Sequence, residues 1–205
     1  MRATIAATRA PRVSAGHVAG WAGIGGPGQG PSGEDLWMQV GIASVPGTAP
    51  FTYVEIKRGS EAPELRIVEE GLVTGRPHRV AVLEMGGRPG WWRGWVDGQA
   101  VTEPVKLPGS SGRFAPIVTA ESWNGGDDSC NSFAFRFERV SVSYGGGGSW
   151  RPFVSAHRFL DGGNDLRQLA TAGSRQGVYS RTISSAAASS RRAPLPYAFV
   201  ARSAS

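Results

Sequence analysis

Apolar and polar residues alternate along this chain with a period of two far more often than with the period of a helix. In Leu36 to Ile42, Leu36, Met38, Val40 and Ile42 fall on one face and Trp37, Gln39 and Gly41 on the other. Phe51 to Arg58 sets Phe51, Tyr53, Glu55 and Lys57 against Val54 and Ile56. Leu65 to Glu69, His78 to Met85 and Trp91 to Val96 continue the pattern. Asp97-Gly98 is a hairpin signal, and Val101 to Leu107 is the expected returning strand. In Val118 to Trp123, Thr119, Glu121 and Trp123 share one face and Val118, Ala120 and Ser122 the other. Phe133, Phe135 and Phe137 are in phase, but Val140, Val142 and Tyr144 take the opposite parity. A β-bulge near Glu138-Arg139 would turn both sets inward. Trp21 to Gly26, Trp150 to Phe159 and Pro196 to Arg202 complete the expected strands. Turn residues cluster between them, at Pro27 to Asp35, Pro46 to Pro50, Gly71 to Pro77, Gly86 to Gly90 and Asn124 to Asp128. Many short strands at regular spacing predict an all-β fold, an antiparallel β-sandwich or jelly roll.

Composition agrees with this pattern. Thirty glycines and 14 prolines among 205 residues suit a loop-rich β protein. The length predicts a single domain over residues 1–205. Residues 1–20 carry arginines and no acid, and they lack the apolar run of a secretory signal. They read as an edge strand (Ala3 to Val13) or a truncated N-terminus. Gly145 to Gly148 reads as a linker, Asp161 to Asn164 as a turn, and residues 184–192, rich in Ser, Ala and Arg, as a mobile loop.

The formal charge of +6 changes the picture little. The arginines are spread along the chain with no basic arm and no nucleic-acid motif, so no nucleic-acid partner is expected. No apolar run is long enough for a membrane helix, and no membrane partner is expected. Cys130 is the only cysteine, and His17, His78 and His157 have no metal-ligand spacing, so no metal is expected. Asn124, Asp127, Asp128 and Asn131 offer hard oxygen ligands without the spacing of a calcium loop.

Three strands carry polar groups opposite their apolar faces: Gln39 with Trp37, Glu55 with Tyr53, and Glu121 with Trp123. Brought onto one face, they would offer an amide, two carboxylates and several aromatics. A carboxylate can take a proton from water, and an amide N–H can stabilise the oxyanion formed when water attacks a carbonyl.

The ordered set Trp21-Ala22-Gly23-Ile24-Gly25-Gly26, Trp37-Met38-Gln39-Val40-Gly41, Tyr53-Val54-Glu55 and Ala120-Glu121-Ser122-Trp123 resembles the glutamic peptidases called eqolisins. The resemblance spans about Trp21 to Ser143 and extends more loosely over Trp150 to Arg202. It implies a concanavalin A-like sandwich of two curved sheets with the site on the concave face. It implies an endopeptidase in which Glu121 activates water and Gln39 stabilises the tetrahedral oxyanion. Trp37, Tyr53, Glu55 and Trp123 would line the groove for a polypeptide substrate. No cofactor is implied, and a secreted location is suggested by the resemblance alone. Ser122 stands where the family usually has tryptophan directly after the glutamate. A non-catalytic concanavalin A-like module that binds a glycan is the alternative, since Trp91-Trp92-Arg93-Gly94-Trp95 resembles a hairpin of that wider group. A glycosidase using Glu55 and Glu121 ranks third.

Overall fold

The structure is a computed structural model and describes residues 1–127, 129–144, 149–153 and 197–203. Among these residues there is no helix; the alternating segments form two antiparallel sheets packed against each other as a β-sandwich. The first sheet orders its strands β10 (Pro116–Trp123), β2 (His17–Gly26), β3 (Leu36–Ser44), β4 (Phe51–Arg58) and β5 (Glu64–Glu69). The second runs β12 (Ser149–Pro152), β11 (Ser132–Tyr144), β1 (Arg2–Arg12), β6 (His78–Glu84), β7 (Trp91–Val96) and β8 (Gln99–Ala100). In that second sheet β13 (Tyr197–Arg202) also pairs with β11, and β9 (Val105–Lys106) also pairs with β7.

The core lies between the sheets and is filled by the inward parity of each strand. Met38, Val40 and Ile42 from β3 and Val54 and Ile56 from β4 meet Val80 and Val82 from β6 and Phe133, Phe135 and Phe137 from β11. Phe137 stacks on Phe199 of β13 with ring centroids 4.2 Å apart. Burying each such side chain stabilises the fold by about 1.5–3 kcal/mol. Gly20 of β2 leaves room for Phe135 of the other sheet: a Cβ there would lie 2.7 Å from its ring.

The bulge expected near Glu138-Arg139 is present. Thr4 pairs with Glu138 but Arg2 with Ser141, so three residues of β11 span two of β1. Arg139 takes up the extra residue with φ of 53°, and Phe137 and Val140 both remain buried.

Two expectations change. Ala3 to Val13 is not an edge strand along its first half. Arg2 to Ile5 pairs with both β11 and β6, so its backbone is satisfied on two sides while Ala3, Ile5 and Ala7 point inward. Only its second half is free of β6. The strand returning from Asp97-Gly98 is also broken into β8 and β9. Pro104 has no N–H to give the ladder, and Thr102 turns its hydroxyl to accept from the Gly94 N–H at 3.0 Å instead. Of the last segments, the strand expected over Trp150 to Phe159 is seen as Ser149–Pro152, with Phe153 outside it and residues 154–159 not among the described ones, and Tyr197–Arg202 is a strand. The linker at 145–148, the turn at 161–164 and the loop at 184–192 lie outside the described residues.

Candidate functional site

The order β10-β2-β3-β4-β5 settles which polar residues meet. Across it Glu121 stands opposite Ala19, Trp21 opposite Gly41, Gly41 opposite Tyr53, and Gln39 opposite Glu55. Since strand side chains alternate, all of these lie on the face turned away from the other sheet. Gln39, Glu55, Glu121, Tyr53, Trp37 and Trp123 therefore share one surface. A small apolar floor of Ala19, Ala43, Phe51 and Tyr53, packed against Trp21 and Val45, runs beneath them. Gly41 belongs to this floor because a Cβ there would meet the Gly20 carbonyl oxygen at 2.3 Å and Trp21 Cβ at 2.6 Å.

Each polar group has a definite partner. Trp21 Nε1 donates to Glu121 Oε1 at 3.0 Å, and His17 Nε2 lies 3.6 Å from the same oxygen. Trp37 Nε1 donates to Glu55 Oε1 at 2.8 Å. Gln39 Nε2 donates to the Tyr53 hydroxyl at 3.1 Å. Gln39 and Tyr53 are buried, whereas the Glu121 side chain keeps 22% of its surface exposed. Glu121 is thus more open to a reactant than Gln39 or Tyr53.

The electrostatics follow from crowding. Tyr53 is held well above the ordinary tyrosine range, first by burial and then by the negative charges of Glu121 and Glu55; the Gln39 hydrogen bond opposes them. Its hydroxyl therefore stays protonated, accepting from Gln39 while keeping a hydrogen to donate. Burial also raises Glu55 above the usual carboxylate range. The Trp37 indole works against that shift, Glu121 adds to it, and His17 and Lys57 offset it. The charges of both carboxylates thus reach the Tyr53 hydroxyl, and that of Glu121 reaches Glu55.

The margins of this face are apolar. Trp123 on β10 is 57% exposed, and on β5 Leu65 and Ile67, opposite Glu55 and Tyr53, are 52% and 43% exposed. They are three of the four large exposed hydrophobic residues among the described residues, and they flank the acidic group on its two edge strands.

Two members of the group, His17 and Trp21, were not among the site residues expected from sequence. Alternation puts them in phase with each other, but only the pairing of β10 with β2 shows that both reach Glu121. The tryptophan hairpin lies elsewhere, on the second sheet. Trp92 is buried and donates to Ser110 Oγ at 2.7 Å, and Trp91 faces the guanidinium of Arg88 at 4.4 Å. Asn131, one of the oxygen ligands considered for calcium, is committed to the chain. Its Oδ1 accepts from Ser14 N at 2.7 Å, and its Nδ2 donates to Ala15 O at 2.8 Å and Ser122 Oγ at 2.9 Å. No group of three or more metal-ligating side chains occurs among the described residues.

No family model, curated protein or solved structure matches the chain.

Proposed function

We propose that the outer face of the five-stranded sheet is a hydrolytic site of the glutamic-peptidase type. The observation that carries this reading is the shared surface of Glu121, Gln39, Tyr53 and Glu55, with one open carboxylate beside buried amide and phenol donors. Glu121 takes a proton from water as the water oxygen attacks a peptide carbonyl carbon. The carbonyl π electrons move to oxygen, where the second Gln39 N–H would donate, supported by the Tyr53 hydroxyl. Glu121 then returns the proton to the leaving nitrogen as the C–N bond breaks. The Trp21 indole steadies the carboxylate, and Trp123, Trp37, Leu65 and Ile67 offer apolar surface to an extended polypeptide. The ordered resemblance to eqolisins in the same four strands supports the same assignment.

The test is digestion of an unfolded protein substrate from acid to neutral pH, with Glu121→Gln and Gln39→Ala in parallel. Cleavage is expected in acid, and each substitution should lower it by about 10²–10⁴-fold. Cleavage that survives Glu121→Gln, or no cleavage by folded protein at any pH, would remove the assignment.

A further inference from the structure

The second sheet has an outward face of its own, remote from the acidic one. Ser141, Arg2, Ala81 and Trp95 stand in a row across β11, β1, β6 and β7. The small Ala81 leaves a cleft of about 460 Å³ above it, within the size range of small-molecule sites. Three arginines, Arg2, Arg79 and Arg139, line this cleft from three different strands, and Trp95 and Trp150 wall it; the Arg79 guanidinium also donates to the Asp97 backbone carbonyl at 3.4 Å. No carboxylate is among its lining residues.

Two details point to a ligand. Arg139 is the bulge residue with φ of 53°, a conformation that arginine adopts only at a cost in strain, and the surrounding pairing holds it there. Trp95, on the wall of the cleft, keeps a buried Nε1–H without an acceptor among the described residues. Arg2 already lies 3.9 Å over the Trp150 ring, which orients its guanidinium without neutralising it.

We propose that this cleft binds a small ligand through an oxyanion group, a carboxylate, sulfate or phosphate, held by Arg2, Arg79 and Arg139 between the two indoles. Guanidinium forks match the planar or tetrahedral oxygens of such groups. The arginines converge on one compact space walled at both ends instead of tracking a line, which favours a single small anion over a polyanionic chain.

The experiment is a titration of the whole chain at low salt with inorganic phosphate, sulfate, citrate and glucuronate, followed by tryptophan fluorescence and calorimetry. A DNA duplex serves as the polyanion arm. Saturable one-to-one binding of at least one small anion is expected. Arg139→Gly suits the positive φ and so keeps the bulge while removing the charge; it should weaken binding by about tenfold or more. Arg79→Gln, at an exposed side chain, should do the same, and Arg113→Gln, away from the cleft, should leave affinity unchanged. No saturable response to any small anion would overturn the proposal. So would equal weakening by Arg113→Gln, or binding confined to the duplex with a steep salt dependence.

Discussion

Glu55 bears an electrostatic cost that a single substitution should reveal. Its carboxyl is raised by burial, and the unfolded chain removes that burial, so between the unfolded and folded pKa the native state holds the extra proton. Stability linked to Glu55 is therefore full below the ordinary glutamate range and is lost as pH rises through the folded value. Glu55→Gln, which still accepts from Trp37, should melt a few degrees higher than the native chain at neutral pH. The gain should vanish in acid, where Glu55 is protonated in both states. Thermal melts across pH check this, and a gain that persists unchanged in acid would contradict it. Gln39, Glu55 and Glu121 were legible in the sequence because a polar residue out of phase with its strand's apolar set stands out under alternation. Their partners were not. The bond from Trp21 to Glu121 joins residues far apart in the chain, and parity does not say which strands are neighbours.

At the scale of elements, what was legible was what the chain encodes locally. The switch of parity between Phe137 and Val140 located the bulge, because only an extra residue brings both into the core. The broken return after Asp97-Gly98 was readable only in part: Pro104 forbids a continuous ladder, but the capture of Thr102 by Gly94 depends on the fold. Asn131, whose oxygen the sequence offers without the spacing of a calcium loop, ties elements together. It joins the turn after β1, at Ser14 and Ala15, to Ser122, the neighbour of Glu121 on β10. Asn131→Ala would strand these groups where they are half-buried or buried. An unfolding free energy lower by about 1–3 kcal/mol is expected, since that is the cost of leaving a buried partner unsatisfied. Because β10 carries Glu121, the hydrolysis proposed for this face should fall in the same variant at temperatures where it is still folded. Denaturant unfolding and the proteolysis assay measure the two effects separately.

At the scale of the molecule, the acidic face depends on how closely the two sheets approach, and Gly20 is where that approach can be tested. A methyl at Gly20 would fall 2.7 Å from Phe135 Cγ and 3.0 Å from its Cδ1, and Phe135 is completely buried. Either the ring leaves its place or β2 moves outward. Gly20→Ala should therefore cost about 1–3 kcal/mol, the usual penalty for overpacking a filled core. At this chain length that corresponds to a fall in Tm of about 2–4 °C for each kcal/mol. The same change at Gly86, in a turn with nothing within 4 Å and no positive φ, should be neutral or slightly stabilising through the unfolded state. Pairing Gly20→Ala with Phe135→Leu should recover part of the loss, because the two changes share one space and cannot be additive. Equal melting of Gly20→Ala and Gly86→Ala would show that the sheets are less tightly apposed than this. The consequence reaches the site, since β2 bears Trp21 and His17 on its outer face and both touch Glu121. An outward shift of β2 that lowers stability should disturb the Glu121 carboxylate as well, and the double variant should restore both together.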